Sequence, residues 1–361
     1  MLHILLPIGL SFHTFQAMSY TIEVYRGNQR AERHFGIYAL YVMFYPQLVA
    51  GPIERPQNLL HQFREPHRWD SSRAWEGLCM MLWGMFKKVV VADRLALLAN
   101  YAFDRSESAH GWVMLLGIYA FTFQIYCDFS GYTDIARGAA RVMGFELMQN
   151  FDSPYFSRTV SEFWRRWHIS LSTWFKDYVF IPLGGSRGTA AQTCANLAVV
   201  FLLSGLWHGA RWTFVVWGAL HAMYLAFGGA TRVWREKLHW SAPPVVQMLV
   251  VFHLAAFGWI FFRANSLHSA IRIIRDLFNP GNWTVSALDA AALPLDVPER
   301  WIAAVSVLAL LAVEWSSRSK PWIPTLARWP RFARAALIYS SIIIIFLFGR
   351  FAGQQFIYFQ F

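Results

Sequence analysis

Apolar positions in this chain come in long runs and not at the two-residue spacing of half-buried strands. Runs approaching the roughly 17–25 residues that cross a hydrocarbon core as helix lie near residues 2–20, 37–50, 74–99, 112–127, 195–206, 213–228, 245–262, 301–313 and 333–348. Two of them are imperfect. The 37–50 run is short and leads into "GPIERP", and 74–99 is interrupted by Lys87, Lys88, Asp93 and Arg94, so both read as re-entrant or interfacial helices that protein must shield. The pattern predicts an all-α polytopic membrane protein with about eight spans, forming one domain over 1–361.

Between the runs, the longest polar interruption extends from Asp128 to Gly188 and opens "DFSGYTDIARGAARVMGF". Asp128 and Ser130 suit a helix start, Gly131 a sharp turn, and Asp134 the first turn of the helix that follows. Next, "SEFWRRWHISLSTWFKDYVFIPLGGSRG" predicts a helix that starts near Ser161 and stops at Pro182 and Gly184. Trp164, Trp167, His168, Leu171, Trp174 and Phe175 share one stripe of it, while Arg165, Arg166, Ser172 and Lys176 lie elsewhere around the wheel. The segment over about 137–188 is therefore expected to lie at the cytoplasmic interface. "LGGSRG" offers backbone amides and Arg187, without the spacing of a phosphate loop. "FYPQLVAGPIERPQNLLHQF", rich in Pro and Gly, is expected to be a structural re-entrant element, and "NSLHSAIRIIRDLF" a surface-lying amphipathic helix.

Composition reinforces the membrane reading. Hydrophobic residues make up 56% of the 361 and charged residues only 15%, with 18 Trp, 31 Phe and a mean hydropathy of +0.32; soluble domains carry about a quarter charged residues. The net charge of +11 raises the question of nucleic acid, but the basic residues gather beside the apolar runs. They cluster at Arg26, Arg30 and Arg33, at Arg158, Arg165, Arg166 and Lys176, and at Arg318, Lys320, Arg328, Arg331 and Arg334. Loop 282–300 carries Asp289, Asp296 and Glu299 against Arg300 alone, so the positive-inside rule puts it outside and the last basic loop in the cytoplasm. The charge is mostly topology, with a share left to attract an anionic cofactor. Cys79, Cys127 and Cys194 sit in apolar stretches with no disulfide or metal spacing, and "MLHILLPIGLSF" lacks the marks of a cleavable signal peptide.

One polar residue stands out. In "SGLWHGARW", His208 lies between Trp207 and Gly209, just after "NLAVVFLL". An imidazole in an apolar span needs partners for two nitrogens and is usually kept for a task. Gly205 and Gly209 leave room for a ligand or a close helix, and imidazole is suited to taking a proton from a hydroxyl. A satisfied core histidine is the alternative. His168 divides evenly between an interfacial histidine bonded to a neighbour and a functional one, and nothing around His221 distinguishes it.

The motifs "LPIGLSFHTFQAMSYTIEVYRG", "FYPQLVAGPIERPQNLL", "DFSGYTDIARGAARVMGF", "SPYFSRTVSEFWRRWHISLSTWFKDYVFIPLGG", "SGLWHGARWTFVVWGALHA" and "FIYFQF" together resemble the membrane-bound O-acyltransferase family, most of all its branch for bacterial alginate O-acetylation. The resemblance implies a funnel of transmembrane helices in the bacterial inner membrane, with His208 as catalytic histidine and His168 as the second characteristic polar position. It implies acetyl-CoA as the acyl donor on the cytoplasmic side and no metal. Arg165, Arg166 and Arg187 are weak candidates for contacting the donor's phosphates. The acceptor is a polysaccharide, reached with a periplasmic acetyltransferase partner; membrane lipids surround the protein and nucleic acid is not a ligand. Family members carry further hydrophobic helices before "LPIGLSF", so N-terminal helices are expected to be missing here. Peptidoglycan, another surface glycan or D-alanyl transfer are alternative chemistries, and a transporter or an inactive scaffold of a glycan-export complex are the non-enzyme alternatives.

Overall fold

Long apolar runs become helices throughout: the described residues contain no β-strand. The structure, a computed structural model, describes residues 9–48, 51–107, 109, 111–237, 242–283, 293–318, 322–351 and 356–357, with backbone alone at 232–236. Expectations that concern residues 2–8, 49–50, Asp289 and the rest of 284–292 in loop 282–300, Lys320 and the end of "FIYFQF" lie outside the described residues.

The principal elements are α1 (Leu10–Tyr25), α2 (Phe35–Met43), α3 (Ser71–Met85), a π-helical segment (Phe86–Ala92), α4 (Asp93–Asp104), α5 (Gly111–Met143), α6 (Val160–Arg166) and α7 (Ile169–Phe175). They are followed by α8 (Ala190–His208), α9 (Trp212–Lys237), α10 (Pro244–Arg263), α11 (Leu267–Leu277), α12 (Val297–Ser317) and α13 (Arg331–Phe348). Among the described residues, five helices are long and apolar enough to cross a membrane: α5, α8, α9 over Trp212–Thr231, α10 and α13. The protein is a multi-pass membrane protein.

Two compact units make up the chain: Met1–Val90, Cys127–Asn150 and Ser316–Gln360 in one, Val91–Tyr126 and Phe151–Trp315 in the other. In the first unit the sequence expectation for "DFSGYTD" is corrected. Asp128, Ser130, Gly131 and Asp134 lie inside α5, a helix of 33 residues, and not at a helix start. Their polarity is met by partners far away in sequence. Lys87 places Nζ 2.5 Å from Asp134 and donates to Ser130 Oγ at 3.2 Å, and Lys88 Nζ lies 2.6 Å from Asp128. Asp128 also accepts the Ile357 backbone N–H at 2.7 Å. Both lysines project from the π-helical segment, whose wider turn, an insertion into regular helix often found at functional sites, interrupts the 74–99 run where the charges do.

Gly131 is there for close approach and not for a turn. A Cβ on it would lie 2.7 Å from the Gly84 carbonyl oxygen, and one on Gly84 would lie 2.5 Å from that of Gly131. One heptad further along, Gly77 and Gly138 repeat the arrangement at 2.6 and 2.5 Å. Two glycine pairs thus let the backbones of α3 and α5 touch, the small-residue packing that membrane helices use where lipid offers no hydrophobic drive. "GPIER" runs as irregular backbone up to a short helix at Pro56–Leu59, and Glu54, wholly buried, accepts the Met148 N–H at 2.5 Å, while Tyr41 donates its hydroxyl to the Glu54 carbonyl at 2.8 Å.

In the second unit α8, α9 and α10 pack in succession around buried Phe214, Trp217, Trp259 and Phe262. Arg94 Nε lies 2.6 Å from Glu299, Tyr155 donates to the Thr122 carbonyl at 2.6 Å, and Tyr126 donates to the buried carboxylate of Glu314. α11 forms as expected behind a Ser266 cap, but it buries Ala270 and Ile273 and leaves Ile271 and Phe278 exposed.

Candidate active site

The helix expected from Ser161 to Pro182 is two helices with His168 at the joint. Thr159 caps α6 by accepting the Glu162 N–H, and Glu162 in return accepts the Arg158 N–H. After Arg166 the chain leaves helical geometry: Trp167 is extended and His168 is left-handed, at φ 43° and ψ 55°. α7 then resumes, with the His168 carbonyl accepting from Ser172 N at 2.9 Å. Only Ser153 shares such a conformation among the described non-glycine residues. A left-handed residue with a Cβ costs about 1–2 kcal/mol, and such outliers cluster at functional sites. The apolar stripe survives the break, since Trp167, His168, Leu171, Trp174 and Phe175 are all buried. Burial, and secondarily the neighbouring His208, holds the His168 imidazole well below the ordinary histidine range, so at neutral pH it offers one N–H donor and one acceptor.

His208 ends α8, and Gly209 lets the chain reverse into α9. The space at Gly205 and Gly209 is taken by a close helix: a Cβ at Gly205 would meet the Phe214 carbonyl, and one at Gly209 the Phe214 ring. Aromatic edges fix the imidazole, with ring centroids 4.8 Å away for Trp207, 5.2 Å for Trp217 and 5.0 Å for Phe262. His168 reaches the same Trp207 at 6.2 Å, so the fold brings both histidines to one indole. They differ in burial, because His168 is buried whereas His208 is half-buried. That combination, an imidazole held in an aromatic frame with a second, neutral imidazole against the same indole, suits proton removal from a hydroxyl beside a polarised carbonyl.

The arginine candidates fare differently. Arg165 is exposed, Arg187 is exposed in the turn beyond the π-helical segment Lys176–Phe180, and Arg166 is held by Glu162 at 2.9 Å and Asp152 at 3.9 Å. Arg211, which sequence reasoning passed over, lays its guanidinium 4.9 Å over the Phe214 ring. Also unforeseen is the box around His221. Its ring lies 4.9 Å from Trp164 and 5.0 Å from Trp217, and neither nitrogen has a hydrogen-bond partner among the described residues. Trp217 therefore touches both His208 and His221, and the four-residue spacing of Trp217 and His221 on α9 was the available signal.

A model of the membrane-bound O-acyltransferase family matches residues 28–271. Over 297 residues the chain is 46% identical to the probable alginate O-acetylase AlgI of Azotobacter vinelandii, covering 81% of this chain and 57% of that protein. The protein of the same description from Pseudomonas aeruginosa is 45% identical, with 81% and 55% covered. A peptidoglycan O-acetyltransferase of Helicobacter pylori is 37% identical over 305 residues, with 76% and 57% covered. The chain thus spans little more than half the length of these relatives.

Proposed function

This chain belongs to the membrane-bound O-acyltransferase family, and from that premise we propose that it passes an acetyl group from acetyl-CoA at the cytoplasmic side of a bacterial inner membrane toward O-acetylation of an exopolysaccharide of the alginate kind. The observation that carries the reading is the half-buried His208, its imidazole framed by aromatic rings and sharing Trp207 with His168. His208 takes the proton of the acceptor hydroxyl as its oxygen attacks the thioester carbonyl. The tetrahedral intermediate collapses with loss of the thiolate, which recovers the proton from His208, leaving an acetyl ester and the free thiol. Neutral His168 donates its N–H toward the developing oxyanion. Arg165 and Arg187, exposed on the same interfacial segment, add to the positive charge of the face that an anionic donor approaches.

The acceptor is a glycan hydroxyl or the nucleophile of a periplasmic acetyltransferase that completes the transfer. The names of the Azotobacter and Pseudomonas relatives support alginate over peptidoglycan, in line with their higher identity. His208→Ala in the membrane-inserted protein is expected to lower acetyl transfer from labelled acetyl-CoA by at least 10²-fold with the yield of folded protein unchanged. Turnover at the wild-type rate would refute the assignment.

A further inference from the structure

A cleft of about 380 Å³ in the first unit lies between the turn that follows α1 and the segment after "GPIER". Its positive charge comes from arginine, Arg30 and Arg33 in the turn and Arg64 on the opposite wall, where His61 also lies. The one acid in it, Glu32, is spent inside the protein: its carboxylate accepts from Arg64 at 2.6 Å and from the His34 N–H at 2.8 Å. Among the described residues no acid meets the guanidinium groups of Arg30 or Arg33, and both side chains are exposed. The walls are fixed in advance. Glu32 donates its N–H to the Tyr20 hydroxyl at 2.7 Å, Gln57 donates to Glu23 at 2.7 Å, and His61 bonds the Gln57 carbonyl through Nδ1 at 3.0 Å. Buried Pro56 and Leu60 close the cleft on one side.

Guanidinium groups present forked donors that match the oxygens of phosphate. A cleft of this volume falls within the range of small-ligand sites. Its charge lies just beyond the end of α1, and the positive-inside rule assigns such a turn to the cytoplasmic face. We infer that the cleft bounded by Arg30, Arg33, His61 and Arg64 binds a phosphate group presented at the cytoplasmic surface, either the headgroup of an anionic phospholipid or the nucleotide end of a thioester donor.

The two sources separate experimentally. The full chain in phosphatidylcholine nanodiscs is titrated with coenzyme A, and the delipidated protein in detergent is titrated with phosphatidylglycerol under native mass spectrometry. At least one ligand is expected to bind, and Arg30→Gln with Arg33→Gln is expected to weaken it at least tenfold. Arg68→Gln with Arg105→Gln, which removes the same charge from other exposed positions, leaves the affinity within about twofold. Binding that the Arg30 and Arg33 changes leave untouched, failure of both ligands, or capture of an oligouronate in preference to either would overturn the assignment. Only the coenzyme A arm rests on the proposed acetyl transfer. His208→Ala separates the two, since it ends transfer in that reading and leaves phosphate binding at this cleft intact.

Discussion

His168 joins a buried, polar ring to a left-handed backbone between two short helices. Its polarity within an apolar stripe was visible, as was that of His208, because a histidine among tryptophans contradicts its surroundings. Its backbone was not visible, since the stripe of Trp164, Trp167, Leu171, Trp174 and Phe175 keeps helical spacing across a joint where the chain is left-handed. The conformation makes a prediction that separates it from chemistry. Asn tolerates the left-handed region and a β-branched residue does not. His168→Asn is therefore expected to keep the melting temperature near that of the parent, and His168→Val to lose about 1–2 kcal/mol, seen as a drop of several degrees in a thermal-shift measurement in detergent. Both variants are expected to transfer less acetyl, since both lose the imidazole.

At the scale of elements, helix positions were legible and helix partners were not. Residues 195–206, 213–228 and 245–262 fall within α8, α9 and α10, because length and apolarity alone specify such helices. The "DFSGYTD" stretch misled because its charges are neutralised by Lys87 and Lys88, 40 or more positions earlier, which no local pattern reveals. The same distance hides the contact of α3 with α5. Gly131→Ala would drive a methyl group into the Gly84 carbonyl, and overpacking of this kind costs about 1–3 kcal/mol. Gly228→Ala in α9, where a Cβ meets nothing within 4 Å, should be neutral or stabilising by up to about 1 kcal/mol. Comparing the two thermal midpoints tests whether contact, and not glycine as such, is what matters.

For the whole molecule, composition and charge asymmetry were enough to place the chain in a membrane, while Glu54, whose burial the "GPIERP" motif does not reveal, adds a response to pH. Burial pushes the Glu54 carboxyl up to about 7 from an ordinary 4.5. The native protein thus keeps a proton there that the unfolded chain has lost, so the contribution of Glu54 to stability is fully present below about 4.5 and is lost as pH rises through about 7. At 1.36 kcal/mol per pKa unit the decline amounts to about 3 kcal/mol. Glu54→Gln preserves an acceptor for Met148 and is expected to flatten the profile, with a higher melting temperature than the parent at pH 8 and little difference at pH 5. A parallel decline in both proteins would place the sensitivity elsewhere. The paired glycines, for their part, constrain the protein's history. A harmful larger residue at position 131 cannot be rescued by shrinking its opposite number, because position 84 is already the smallest residue there is. Suppressor mutations should therefore arise at flanking sites that shift a helix, or the lineage must revert.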